Sequence, residues 1–119
     1  MACRITELVL DCTDPELLAG FWCAVLDYQV LERDADSVEI GPPDGRTTLL
    51  FSRSDESKKQ KLRLHIDVNA TDRDQQSELE RLLALGARKV DIGQGEVSWH
   101  VLADPEGNEF CLLRRRLSP

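Results

Sequence analysis

The chain has no excess of positive charge. Fifteen Lys and Arg stand against 22 Asp and Glu, a net charge of −7. Binding a phosphate backbone needs a basic footprint, so nucleic acid is excluded as an expected partner. No apolar run approaches the roughly 20 residues of a membrane helix, and no membrane partner is expected. No secretory leader pattern is visible, because residues 1–5 run straight into a strand pattern. The four cysteines (Cys3, Cys12, Cys23, Cys111) contain no CxxC pair and no zinc spacing. Without a secretion signal they read as reduced thiols, and the expected location is cytoplasmic. What remains is an ordinary composition: 41% hydrophobic and 31% charged over 119 residues. That length makes one domain, 1–119, able to bury a core without disulfides or a structural metal. The acidic balance suits neutral or cationic small molecules.

Residues 5–12 alternate as a strand, with Leu8, Leu10 and Cys12 on one side and Glu7, Val9 and Asp11 on the other. Asp14-Pro15 is a helix start, an N-cap side chain followed by proline at the first helical position. Leu17, Leu18, Phe21, Trp22, Val25 and Leu26 then recur at helical spacing. Residues 29–32, 37–40 and 47–51 read as three short strands, the last two separated by the turn Pro42-Pro43-Asp44-Gly45. Residues 54–61 are polar and charged without periodicity, which marks an exposed linker.

The pattern then begins again. Leu62, Leu64, Ile66 and Val68 alternate with Arg63, His65 and Asp67. A helix is expected from about Asp72, with Leu79, Leu82, Leu83 and Leu85 on its apolar face and Gly86 closing it. Residues 89–92, 97–103 and 109–113 supply three more strands. This is an internal repeat of about 60 residues, module one about 1–53 and module two about 62–119. Glu7-Leu8-Val9-Leu10-Asp11 matches Arg63-Leu64-His65-Ile66-Asp67, and Pro43-Asp44-Gly45-Arg46 matches Pro105-Glu106-Gly107-Asn108. The expected fold is α+β: two βαβββ modules packed side by side around a shared curved mixed sheet with a cleft, helices on the outer face.

Two signatures carry a resemblance. One is the opening strand with Asp14-Pro15 and the helix end Phe21-Trp22…Val25-Leu26-Asp27-Tyr28. The other is Leu102-Ala103-Asp104-Pro105-Glu106-Gly107-Asn108-Glu109-Phe110-Cys111-Leu112, with Trp99 upstream. Together with the repeat they resemble the vicinal oxygen chelate superfamily of glyoxalases, bleomycin-resistance proteins and extradiol dioxygenases, in a glyoxalase-like subgroup. The resemblance implies a divalent metal that chelates two neighbouring substrate oxygens. Carried over position by position, its ligands fall on Glu7, Leu49, Arg63 and Cys111. Leu49 has no donor, and Arg63 is a permanent cation. The expectation is therefore no metal cofactor. The alternative is a divalent metal such as zinc held by Glu7, His65 and Cys111, reached by registering the halves on Asp14 and Asp72.

The expected ligand-binding cleft contains Glu7, Val9, Leu49, Arg63, His65, Asp67, Trp99, Glu109 and Cys111, with Asp11 and Leu113 nearby. Glu7 is either a surviving ligand or base, or the partner of Arg63 in an ion pair across the repeat. His65 is either an acid/base group or a hydrogen-bonded strand residue. Trp99 either stacks on a flat ligand or packs in the core. Acidic groups outnumber basic ones in this set, which suits a small organic ligand carrying positive charge. The function expected is a glyoxalase-like small-molecule-binding protein without the usual metal site. The alternative is a metal-dependent lyase, isomerase or dioxygenase with a non-standard site. The superfamily resemblance also implies a homodimer.

Overall fold

A computed structural model describes all residues, Met1–Pro119. The chain divides into two compact units, Met1–Ser57 and Lys58–Pro119. The first contains β1 (Glu7–Cys12), α1 (Pro15–Leu26), β2 (Gln29–Arg33), β3 (Ser37–Gly41) and β4 (Thr48–Arg53). The second contains β5 (Ile66–Val68), α2 (Gln75–Leu85), β6 (Arg88–Lys89), β7 (His100–Ala103) and β8 (Glu109–Leu112). Each is a βαβββ module with one four-stranded mixed sheet, in the orders β1-β4-β3-β2 and β5-β8-β7-β6. The α+β class and the two-module repeat are as expected from the sequence.

In the first unit the Asp14 side chain accepts a hydrogen bond from the Leu17 amide at 3.2 Å, capping α1 ahead of Pro15. The helix buries Leu18, Ala19, Phe21 and Trp22. The Phe21 and Trp22 rings meet edge to face, 5.3 Å apart at 88°, a geometry favoured by their quadrupoles. Val38, Ile40 and Phe51 complete this core at 1% exposure or less. Each such buried side chain contributes roughly 1.5–3 kcal/mol of hydrophobic stabilisation.

In the second unit α2 starts later than expected. Asp74, not Asp72, caps it by accepting from the Ser77 amide at 2.8 Å. Asp72 instead binds the adjacent Arg73 guanidinium at 3.0 Å. Leu79 and Leu82 are buried, whereas Leu83 and Leu85 remain about one third exposed. Gly86 ends the helix at φ 122, a conformation that glycine adopts without Cβ strain. Leu102, Phe110 and Leu112 are the buried residues of the sheet's apolar face.

The largest departure lies at the start of this unit. Residues 62–65 are not strand, and β5 is only three residues long. The parallel register explains it. Ile66 pairs with Phe110, so the ladder continued backwards would set His65 opposite Glu109 and Arg63 opposite Gly107. Gly107 lies in the β7–β8 turn with φ 87, and its amide is already bonded to the Asp104 carbonyl. Strand β1 reaches further because β4 runs six residues, from Thr48 to Arg53.

Candidate functional site

Each sheet has an apolar face and a second, more polar face, and the strand registers decide which residue belongs to which. In the first unit Leu8, Leu49 and Ile40 are in register, as are Leu10, Phe51 and Val38. These are the apolar rows. Leu49 therefore does not stand beside Glu7 and Val9. The register corrects that expectation by one residue, since Val9, Leu50 and Glu39 form one row of the second face. Glu7 is paired with Thr48.

The surroundings of Glu7 are acidic. The Thr48 hydroxyl donates to Glu39 Oε2 at 2.8 Å. Burial raises the Glu7 carboxyl above its ordinary range, the hydrogen bond and negative charge of Glu39 raise it further, and the Thr48 hydroxyl opposes them. Within its unit, then, Glu7 is set by another carboxylate rather than by a cation. Glu39 and Thr48 were missed as site residues. The signal for Glu39 was present, because Val38 and Ile40 alternate around it as inward residues.

In the second unit the rows are Asp67, Cys111 and Val101, then Glu109 and Ala103, all on the second face. The registers therefore put Asp67, Glu109 and Cys111 on one face of the sheet. Arg63 and His65 are not presented by a strand. His65 folds back on its own segment, its Nε2 2.7 Å from Lys61 Nζ and 2.8 Å from the Leu62 carbonyl oxygen.

Glu109 is 7% exposed and fully engaged by that same segment. Lys58 Nζ lies 2.7 Å from Glu109 Oε1, and the Leu62 amide donates to Oε2 at 3.1 Å. Burial pushes the carboxyl up. The Lys58 hydrogen bond, the Leu62 and Glu109 backbone amides and the Lys58 charge oppose it, and the net result holds the carboxyl below the usual carboxylate range. Lys58 was missed, because a run of charges without periodicity reads as a solvated linker. Cys111 is also 7% exposed. Burial raises its thiol first, then the charge and hydrogen bond of Asp67. This favours the protonated thiol and works against a nucleophilic thiolate.

Trp99 precedes β7 and is 39% exposed. It borders an open cavity of about 470 Å³ together with Lys89, Gln94, Val97 and His100. Its ring is an accessible apolar surface at the edge of the second sheet.

The family's metal must be tested against these donors. Leu49 lies on an apolar row, Arg63 is cationic and lies in an irregular segment, and Cys111 offers a soft thiol, 7% exposed. Within each unit no three His, Cys, Asp or Glu side chains gather as a metal would require. The side chains at the four positions do not make the donor set of that divalent ion.

A family profile described as a glyoxalase-like domain matches residues 7–113. The chain belongs to the glyoxalase-like domain family. Solved structures agree on the fold of this glyoxalase-like protein. A glyoxalase/bleomycin resistance protein/dioxygenase family enzyme from Burkholderia phytofirmans superposes with a TM-score of 0.71 at 16% identity, covering 92% of this chain and 97% of that one. The genomically encoded fosfomycin resistance protein FosX from Listeria monocytogenes gives 0.73 at 15% identity, covering 97% and 93%. FosX from Mesorhizobium loti gives 0.71 at 17% identity, covering 94% and 92%. No curated protein matches the sequence. Membership of the vicinal oxygen chelate superfamily follows from the profile and these folds together. No helix is long and apolar enough to cross a membrane.

Proposed function

We propose that this glyoxalase-like domain binds a small organic molecule carrying positive charge, and that it does so without the metal of its superfamily. The observation that supports this most is the chemistry of the second faces. Glu7 and Glu39 share one, and Asp67 and Glu109 share the other. Arg63, the cation of the expected cleft, lies in an irregular segment rather than in a strand row. Carboxylates favour ammonium or guanidinium groups, which supply charge and hydrogen-bond donors together, and of these four Glu109 is buried and Glu39 half-buried. Trp99 offers an accessible ring to a flat ligand. The protein is read as a cytoplasmic homodimer, with light scattering expected at twice its 13.4 kDa.

Elemental analysis of protein purified without added metal tests the metal-free reading. Less than a tenth of an equivalent (an order-of-magnitude threshold) of zinc, nickel, manganese or iron is expected. About one equivalent, lost on chelation together with stability, would instead favour a metal-dependent lyase, isomerase or dioxygenase with a non-standard site. Metal-stimulated isomerisation of the hemithioacetal of methylglyoxal would point the same way.

A further inference from the structure

The segment 58–65 carries four cations in six residues, Lys58, Lys59, Lys61 and Arg63. It forms no helix or strand. Its two anchors converge on one carboxylate: Lys58 Nζ at 2.7 Å from Oε1 and the Leu62 amide at 3.1 Å from Oε2 of Glu109. The carboxylate is a fixed part of the sheet, since Glu109 opens β8 in register with Ala103. The ammonium is not fixed in this way, because it ends a flexible four-carbon stem on irregular backbone. At the far end of the segment Leu64 is 69% exposed, so no apolar burial of that side chain holds it down. A carboxylate at 7% exposure must be compensated, and Glu109 is compensated by an amide and a cation. The chain supplies both.

We propose that residues 58–65 are a strap pinned across the second face of the sheet by Glu109, and that a ligand's ammonium or guanidinium group binds there by displacing Lys58. This rests on the reading of the protein as a binder of positively charged small molecules, and it names the anchoring carboxylate and its built-in competitor. Displacement uncovers Glu109 beside Cys111 and Asp67, which lie in the neighbouring row. A strap closed nine-tenths of the time would weaken apparent ligand affinity about tenfold, because only the open fraction binds.

Two variants and one probe test this in the full chain. Lys58→Met keeps the stem and removes the charge, and Glu109→Val removes the acceptor. The strap is read by trypsin cleavage after Lys59, Lys61 and Arg63 and by hydrogen exchange at the Leu62 amide. Both are expected to accelerate about tenfold in Lys58→Met and further in Glu109→Val. The probe is n-butylguanidinium, with n-butanol as the neutral control. It is expected to bind Lys58→Met about tenfold more tightly than the parent, to fail on Glu109→Val, and to speed strap cleavage in the parent. If Glu109→Val does not fold, Lys58→Met still decides. Unchanged cleavage and exchange in Lys58→Met would overturn the strap. Equal affinity in parent and Lys58→Met, or n-butanol acting as well as the cation, would overturn the displacement. A stoichiometric metal found alongside the expected strap behaviour would overturn the metal-free reading and leave the strap standing.

Discussion

In the first unit the turn between β3 and β4 begins with Pro42; in the second the turn between β7 and β8 begins with Asp104. The backbone does the same thing in both. The glycine amide bonds back to the first residue's carbonyl at 2.9 Å, from Gly45 to Pro42 and from Gly107 to Asp104. Both glycines take positive φ, 70 and 87. Only the second turn buries its carboxylate. Asp104 is 2% exposed and accepts from the Glu106 amide at 2.9 Å, the Asn108 amide at 3.0 Å and the Asn108 side-chain amide at 3.0 Å. Asp44, in the first turn, is exposed and accepts from the Arg46 amide at 2.9 Å. A repeated topology therefore does not imply a repeated source of stability. The second faces differ in the same sense: a carboxylate set against a carboxylate at Glu7 and Glu39, and a carboxylate set against an ammonium and an amide at Glu109.

The largest effect expected from this contrast is at the turns. Asp104→Ala strips the acceptor from buried donors, each worth roughly 1–3 kcal/mol when left unsatisfied. With partial relaxation the loss should be about 3 kcal/mol. Asp44→Ala should stay within about 0.5 kcal/mol, as ordinary surface changes do. Urea denaturation with an unchanged m-value checks both. Equal losses at the two positions would mean that the buried carboxylate adds nothing beyond the shared backbone turn.

A smaller difference is expected at the second faces. Lys58→Met leaves Glu109 with backbone amides but no cation and should cost about 1–2 kcal/mol. Thr48→Val removes one hydroxyl donor from Glu39 and should cost less than about 1 kcal/mol. The same denaturation series ranks them, and a reversed order would place the stronger polar anchor in the first unit.

How far the sequence could be read follows the same contrast. The first unit was legible because its strands are long enough for alternation to mean pairing, and because Asp14-Pro15 is a strong start signal. In the second unit Leu62, Leu64, Ile66 and Val68 alternate just as well, yet only Ile66–Val68 finds a partner strand. Periodicity reports which side chains are apolar, whereas a strand also needs a ladder, and the Gly107 turn ends this one. Leu64 is left 69% exposed. The helix starts two residues after the expected Asp72, because Asp74 carries the same carboxylate and its backbone position is the one that reaches an orphan amide. Among the candidate site residues, strand parity puts Glu7, Val9, Asp67, Glu109 and Cys111 on second faces. Leu49 lies on the apolar face, since a one-residue error inverts a strand residue's side. Lys58 had no local signal, because its meaning comes from a carboxylate 51 positions away.

The smallest and most specific expectation is a difference in sign with pH. Glu109 has a folded-state value below its ordinary one, despite burial, through Lys58 and Leu62. Its contribution is present above the unfolded value and is lost as pH falls through the lower folded value. Glu7 is the reverse. Burial and Glu39 raise it, so the folded state holds its proton more tightly than the unfolded chain does. Its contribution is complete below the unfolded value, reference 4.5, and disappears as pH rises through the higher folded value. Removing each carboxyl should therefore tilt the stability profile in opposite directions. Relative to the parent, Glu109→Gln should lose its penalty on acidification, whereas Glu7→Gln should be neutral or slightly more stable near neutrality and lose that advantage in acid. Glu7 is largely solvent-exposed, so screening should keep its effect below about 0.5 kcal/mol. Urea midpoints taken in steps from about pH 3 to 7 for the parent and both variants supply the slopes. Parallel difference curves for the two variants would show that Glu7 is not coupled to Glu39 in the folded protein, and the acidic pairing of the first unit would then have to be abandoned.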